Sequence, residues 1–449
     1  MESKIIKKSF FRDFFGESEL IFLMLGVTLG SILVFAIPPG AAYDEDQHLM
    51  RLWEISALRF VPNTALGHNF PYPATLYFMA RSEESTSEAW AKYRGVNLDG
   101  MDYIYGPLMT RSVYSPLLLL PQSMVMRYLG RARMSPVLIV FYGCRLANLL
   151  SYICLSWLAI HIIPFGKQIL TAAALTPIAL FQAATVNADA ISNGIGILFI
   201  AVCLSLSKRI WIGWQQWITL TLMFLLLFAA KPNLFPLAIL PLILFKPSGF
   251  KSQHGYFILL VTCLTVAVLE GLGWILLAVS SYPSPSFGCG KETGIWQQVN
   301  YILTDPWPMI HALSKDIWIH GWFYLKGWIA SYSRPILPAV YWAYGVAFVS
   351  AFIVDTKSAE LSMRTRLGLI VASFASFLAT SILLYLTCSP IASKVVNGVQ
   401  GRYFVGILPA VALSALGILQ PKISKLPFWF FAVPLSCSIL LFLTIVVKL

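Results

Sequence analysis

Long uninterrupted runs of apolar residues are the feature that most restricts how this chain can fold. In lipid, every backbone N–H and C=O must be satisfied within the protein, so a run of about twenty apolar residues crosses the bilayer as a helix. The runs do not alternate as the strands of a membrane β-barrel do. Charged residues make up only 12% of the chain, about half the share in a soluble domain. The sequence predicts an all-α integral membrane protein, a polytopic helical bundle.

Eleven apolar segments have a length and composition suited to the membrane. Those at 216–230 and 233–246 are short, and they form either two spans or a re-entrant pair joined at Lys231-Pro232-Asn233. The predicted segments lie near residues 19–39, 136–162, 168–185, 190–207, 216–230, 233–246, 256–281, 335–354, 367–388, 402–420 and 427–447.

Lysine and arginine residues set the predicted orientation of the bundle. They concentrate in the N-terminal tail and in every second loop, which indicates a cytoplasmic N-terminus and a C-terminus on the outer face. The formal net charge of +12 is explained by these loops, so nucleic acid is not an expected partner. The run at 113–130 is predicted to lie in the membrane interface, because a span there would turn the later basic loops outward. The chain holds no N-x-Ser/Thr sequon, which favours a bacterial inner membrane.

Two large loops then face outward from a single membrane domain that covers residues 1–449. The first loop covers 40–135 and carries interfacial helices, and the second covers 282–334 and is rich in tryptophan. Seven cysteines include no CxxC pair, so a metal or redox centre of that kind is not indicated. Cys289 lies in a polar loop and Cys388 near one, and a disulfide between them is one possibility.

A cluster of charged residues follows the first apolar run directly, in the sequence AYDEDQHLMRLWEIS at 42–56. In a helix, Asp44, His48 and Arg51 would share one face, since residues three and four apart are neighbours. A carboxylate there can take a proton from a hydroxyl, an imidazole can orient it, and a guanidinium can bind phosphate. The alternative interpretation is helix capping, because acids are favoured at a helix N-terminus.

Further polar residues lie near the predicted outer ends of other spans. Asp189 and Asn193 in NADAISN are four residues apart, although Asn187 or Asp189 could also serve only as a cap. Lys231 and Arg402 are cations at membrane depth or its edge, where they are costly unless paired or snorkelling. Arg145 and Glu270 are charged residues inside predicted spans, and the sequence leaves open whether they pair with each other or with Lys231. The charged groups near the outer face would suit a polyprenyl-phosphate sugar, with its phosphate beside the cations and the tryptophans stacked on sugar rings.

Several motifs, taken in order, resemble those of a bacterial membrane family catalogued as a domain of unknown function, number 2142, within the GT-C glycosyltransferase clan. The resemblance covers roughly residues 35–420 and includes IPPGAAYDEDQH, YSPLLLLPQS, NADAISN, KPNLFPLAILPL and QGRYFVGILPA. Asp44, Glu45 and His48 match a Pro-Asp-Glu-x-x-His element in which Tyr43 replaces the proline. Asp189 matches the acid of a Pro-Asp-Ala element, and Gln400 to Tyr403 match a Gln-Gly-Arg-Tyr element.

The resemblance implies a membrane enzyme that uses lipid-phosphate-linked sugars, with an essential acid in its first outer loop. It assigns catalysis to Asp44 as general base, with Glu45 as substitute candidate and His48 as a group that orients it. It assigns substrate binding to a second set of residues: Arg51, Asp189, Lys231, Arg402 and Tyr403. A divalent metal ion is a possible cofactor, held by carboxylates of Asp44, Glu45 and Asp46.

The sequence thus favours a GT-C-type glycosyltransferase that transfers a sugar from a polyprenyl-phosphate donor to a glycan, lipid or protein acceptor at the outer face. Membrane lipid is its other expected partner. Two alternatives share the same setting. One is a transporter or flippase of lipid-linked glycans, with a route lined by Arg145 and Glu270. The other is a polymerase or ligase of lipid-diphosphate-linked glycans.

Overall fold

The structure is a computed structural model, and helices account for nearly all of its regular elements. It describes residues 16–62, 70–82, 84–98, 102–106, 114–131, 135–246, 249–250, 254–280, 295–331, 334–356, 361–418, 426–427 and 429–447. The basic residues of the N-terminal tail and Cys289 lie outside these described residues.

Seven helical segments are long and apolar enough to cross a membrane. The chain is therefore an all-α membrane protein, as predicted from the apolar runs. The seven are α1 (Glu17–Ala36), α6 (Val137–Ile162), α9 (Asp189–Ser207), the continuous segment Gly255–Ala278, α16 (Pro338–Asp355), α17 (Met363–Cys388) and α19 (Trp429–Val447). The continuous segment comprises α12 (Gly255–Val266), a π-helical stretch (Ala267–Leu272) and most of α13 (Gly273–Ser280).

The other predicted runs fall on shorter helices that meet in pairs. In α8 (Pro177–Ala183), the Thr176 hydroxyl caps the helix by accepting from the Ala179 N–H at 3.2 Å, and Pro177 begins the helix where no N–H is needed. The shorter helices are α7 (Lys167–Ala174), α8 (Pro177–Ala183), α10 (Trp214–Ala229), a 3₁₀ segment (Pro232–Ala238) with α11 (Ile239–Leu244), and a 3₁₀ turn (Gly401–Phe404) with α18 (Leu408–Ser414).

The connection between α1 and α6 folds into small elements against the end of the bundle. The run at 113–130 forms three pieces that are each far shorter than a span: a 3₁₀ helix (Pro116–Leu119), α5 (Leu120–Val125) and a π-helix (Met126–Gly130). Before them come α2 (Glu45–Ser56), α3 (Ala74–Met79), α4 (Thr86–Tyr93) and the antiparallel pair β1 (Phe70–Pro73) and β2 (Tyr103–Gly106). The connection between α13 and α16 carries α14 (Ile295–Thr304) and α15 (Trp307–Ile329).

Helix α9 lies at the centre of the bundle, with almost every residue buried. Contacts at one end join α1 to α7 and α7 to α16: Lys167 Nζ lies 2.5 Å from the Glu19 carboxylate, and Ile169 N–H donates to Asp355 at 2.7 Å. The start of α9 and Lys231 lie at the opposite end of the bundle, together with the start of α2. This second end is where the polar residues singled out in the sequence gather.

Cys388, the last residue of α17, is in a disulfide. The other half of the predicted pair, Cys289, lies outside the described residues. Cys144, Cys154, Cys203, Cys263 and Cys437 are free thiols.

Candidate functional site

Asp44 stands directly before α2 in a left-handed backbone conformation, with φ 54° and ψ 20°. Among non-glycine residues this conformation is uncommon, and aspartate is one of the few that adopts it readily. The Asp44 side chain makes no capping hydrogen bond to the helix. Capping therefore does not explain the residue, and backbone outliers of this kind gather at functional sites.

Glu45 is fully buried and paired with Arg145 from the middle of the bundle. Arg145 Nε lies 2.8 Å from Glu45 Oε1, Arg145 Nη2 lies 2.6 Å from Oε2, and the Val186 N–H donates to Oε1 at 2.9 Å. Arg145 also donates to three carbonyl oxygens that end the first span, those of Val34, Ile37 and Pro38. The structure thus places Glu45 in a closed network that joins α1, α2, α6 and the chain before α9. The pairing of Arg145 with Glu270 or Lys231 that the sequence left open is wrong.

Arg51 and Asp46 point away from the other candidate residues. Arg51 Nη1 lies 2.7 Å from Glu54 Oε2, and the buried guanidinium also donates to the carbonyl oxygens of Arg59 and Phe60. Asp46 pairs with Arg81 at 2.6 Å. The helical spacing of Arg51 predicted a shared face with His48. The long Arg51 side chain instead neutralises Glu54 within α2 and reaches the two carbonyl oxygens of the chain after the helix.

His48 lies inside the bundle end, with 3% of its surface exposed. Its ring stacks on Tyr114 at a centroid distance of 6.1 Å, and its buried Nδ1 has no hydrogen-bond partner among the described residues. Burial lowers the pKa of His48 to about 4, with a further contribution from the Lys231 cation, while Asp189, Asp44 and Asp46 act in the opposite direction. The imidazole is therefore neutral at pH 7.

Lys231 and Asp189 form an ion pair between the chain after α10 and the first turn of α9, with 12% of each side chain exposed. Asn187 caps α9 by accepting from the Ala190 N–H at 3.0 Å, which leaves the Asp189 carboxylate for Lys231. The Lys231 ammonium also lies 4.4 Å from the centre of the Tyr114 ring. Burial by itself lowers the pKa of Lys231, but the adjacent Asp189 carboxylate outweighs it and the net pKa is raised.

Arg402 completes the same group from the 3₁₀ turn before α18. Its guanidinium carbon lies 3.9 Å from the centre of the Tyr43 ring and 5.4 Å from that of Tyr403, so both rings provide cation–π contact. Arg402 is 6% exposed, and its buried Nε has no hydrogen-bond partner among the described residues. The guanidinium is charged, because arginine is effectively always protonated in proteins.

Six of the predicted site residues converge, and we call them, together with Tyr43 and Tyr114, the cation–carboxylate cluster. Asp44 belongs to it because the preceding Tyr43 packs on Arg402, and because the N–H of His48, one helical turn later, donates to the Asp44 carbonyl oxygen at 3.2 Å. Tyr43 and Tyr114 were missed in the sequence, since nothing in their local pattern distinguishes them from other aromatic residues near a membrane. The members are Tyr43, Asp44, His48, Tyr114, Asp189, Lys231, Arg402 and Tyr403.

The divalent metal considered from the sequence does not fit the arrangement of the carboxylates. Glu45 is committed to Arg145, and Asp46 to Arg81. Among the residues the structure describes, no group of three His, Cys, Asp or Glu side chains is placed to hold a metal ion. Positive charge at the cluster comes from Lys231 and Arg402.

A comparison with family models matches a range of the chain that contains all of these residues. The chain belongs to the family of predicted membrane proteins catalogued as domain of unknown function 2142. The family model matches residues 27–411, which include every member of the cation–carboxylate cluster and exclude only α19 among the seven candidate spans. Neither the curated proteins nor the solved structures compared with the chain gave a match.

Proposed function

We propose that this member of the DUF2142 family is a GT-C-type glycosyltransferase that uses a polyprenyl-phosphate-linked sugar. One observation carries the proposal: a half-buried carboxylate, Asp44, shares a membrane-end cluster with two cations. Of these, Arg402 has a buried N–H that no described residue accepts. A buried donor without an acceptor is costly, and an anionic ligand oxygen would satisfy it.

The cluster supports the two tasks of such a transfer with different residues. Asp44 takes the proton of the acceptor hydroxyl, and the acceptor oxygen forms a bond to the anomeric carbon of the sugar. The bond from that carbon to the phosphate oxygen breaks, and the polyprenyl phosphate leaves with the electron pair. Lys231 and Arg402 stabilise the charge that develops on the leaving phosphate. Neutral His48, with its unpartnered Nδ1, orients Asp44 or the hydroxyl without adding charge.

The charge balance of the cluster favours a monophosphate link over the diphosphate link of the polymerase or ligase alternative. Asp189 pairs directly with Lys231, so Arg402 is the cation that remains for the ligand phosphate, while Asp44 adds a negative charge on the acceptor side. A sugar phosphodiester carries one negative charge and a sugar diphosphate carries two. The flippase alternative expects Arg145 to line a route through the bilayer. Arg145 is instead hydrogen-bonded to the buried Glu45 carboxylate, which favours the transferase.

We further propose an orientation with eleven crossings, a cytoplasmic N-terminus, and outward loops at 40–135 and 282–334 in a bacterial inner membrane. The seven long spans would be joined by four crossings built from the paired shorter helices. Support comes from the disulfide at Cys388, which lies at the cluster end of the bundle. Disulfides persist in oxidising compartments such as the periplasm.

The test is sugar transfer by the full chain reconstituted in lipid vesicles with polyprenyl-phosphate-linked donors. Release of polyprenyl phosphate and formation of a glycosidic product are measured together. We expect Asp44→Asn to lower the rate by about 100-fold or more, the usual contribution of a general base. Asparagine also tolerates the left-handed conformation of Asp44, so this variant keeps the backbone.

Asp46→Asn is the matched control, because Asp46 is the neighbouring acid and pairs outside the cluster. It should keep the wild-type rate, whereas Lys231→Met and Arg402→Met should raise the donor KM. Full activity in Asp44→Asn would refute the role of the base. Movement of labelled lipid between leaflets without any new glycosidic bond would show that the protein is a flippase and not a glycosyltransferase.

A further inference from the structure

Helix α15 turns a row of tryptophans away from the protein. It has 23 residues but is not one of the seven candidate spans. Trp307, Trp318 and Trp322 are 73%, 90% and 67% exposed. At about 100° per residue, the second and third lie about 20° and about 60° round the helix from the first, so all three share one side.

The opposite side of α15 is fixed to the cluster end of the bundle. Gly327 packs directly on Gly401: a β-carbon on Gly401 would collide with the backbone of Tyr324 and Gly327, and one on Gly327 would make a very tight contact with the Gly401 backbone. Asp316 is buried, with Tyr324 OH donating to it at 2.7 Å and His320 Nδ1 2.9 Å away. The Tyr324 ring in turn contacts Phe404. The outward face is therefore presented by a firmly held helix.

Chain length prevents α15 from crossing the bilayer. Just before it, Gln298 on α14 accepts from the Ala392 N–H at 3.0 Å, so α14 is tied to the chain after α17 at the cluster end. From Gln298 to Trp307 the chain covers six helical steps and a short link, about 20 Å at most. The hydrocarbon core is about 30 Å thick. Because Gly327 lies at the same end, both ends of α15 stay near one surface of the membrane.

We propose that α15 lies in the headgroup region of the outer leaflet and that its tryptophan face binds lipid. Tryptophan is enriched at this depth, where its ring is apolar and its N–H stays hydrated. Exposed Lys315 and Lys326 flank the same face, and their ammonium groups match anionic headgroups. Lys326, at the edge of this face, lies 6.0 Å from the centre of the Tyr341 ring on α16, a candidate span whose Trp342 and Val346 are exposed. In this proposal the tryptophans anchor α15 in the membrane surface, and α15 packs on Gly401, the residue before Arg402. The sequence had instead suggested that the tryptophans stack on sugar rings.

Only the choice of leaflet rests on the proposed orientation, and the test requires no sugar transfer. Spin labels are placed at Trp318→Cys and Trp322→Cys in the full chain, after Cys154→Ser and Cys437→Ser remove the exposed native thiols. The protein is reconstituted in bilayers of phosphatidylethanolamine and phosphatidylglycerol. Collision rates with oxygen, which partitions into lipid, and with a water-soluble nickel chelate report the depth of each label.

Val346→Cys in α16 is the reference for lipid, and Ala91→Cys in the polar helix α4 is the reference for water. We expect both α15 labels to collide more with oxygen than the Ala91 label does, at a depth shallower than that of Val346. Nickel accessibility equal to that of Ala91 would overturn the proposal, since the face would then be open to water. Protection from both reagents would also overturn it, because a protein partner would cover the face.

Discussion

At the scale of single residues, His48 carries the clearest consequence for pH. Burial holds the pKa of His48 at about 4 in the folded protein, against its usual 6.5. Between pH 6.5 and pH 4, His48 is protonated in the unfolded chain but not in the folded protein. The free energy of unfolding is therefore at its full value above pH 6.5 and decreases as the pH falls towards 4. At pH 5 the imidazole should therefore cost about 2 kcal/mol of stability relative to pH 7.5.

Thermal unfolding in detergent at pH 7.5 and pH 5, for wild type and His48→Gln, checks this prediction. Other groups titrate in the same interval, but they are common to both proteins. The wild type should lose more stability on acidification than the variant does. Equal losses in the two proteins would show that His48 is not held neutral by the fold.

At the scale of elements, the Glu45–Arg145 pair joins the end of α1, the start of α2 and the first half of α6. Removing one partner of a buried pair leaves an uncompensated charge, which typically costs about 3–5 kcal/mol. We expect Arg145→Met to lose stability in this range, and the double variant Glu45→Gln/Arg145→Met to recover part of it. Denaturant or thermal unfolding of the two variants gives the comparison.

Lys92→Met provides the control for that series, because Lys92 and Glu84 form an ion pair with more than half of the lysine side chain exposed. It should leave the unfolding midpoint unchanged. If Arg145→Met were equally harmless, the network would not hold α2 in place. The left-handed Asp44 would then owe its position to other contacts.

At the scale of the whole molecule, the two ends of the bundle should face different compartments. Ala91 lies on α4 at the cluster end, and Arg209 is exposed just after the far end of α9. In intact bacterial cells, a membrane-impermeant maleimide should label Ala91→Cys directly and Arg209→Cys only after permeabilisation. Both variants carry Cys154→Ser and Cys437→Ser. Labelling in the reverse order would place the cluster on the cytoplasmic side.

Much of the site was predictable from the sequence, because charge is costly at membrane depth and its position along an apolar run can be read directly. Asp189, Lys231 and Arg402 were singled out in this way, and Asp44 and His48 by their helical spacing just after the first apolar run. All five converge. The sequence could not distinguish Glu45 and Arg51 from these site residues. Both are charged, both follow the same apolar run, and both have a suitable helical spacing. Their partners decide their roles, and those partners are set by the fold.

The sequence by itself determined the class of the protein, because backbone hydrogen bonding in lipid allows a long apolar run only one common structure. It also determined the order of the apolar segments along the chain. Tertiary structure alone decided which charge meets which. Arg145 reaches Glu45 across 100 residues of chain, and Lys231 reaches Asp189 across 42. These ion pairs depend on which helix ends lie next to each other after packing. A local sequence pattern carries no information about that packing.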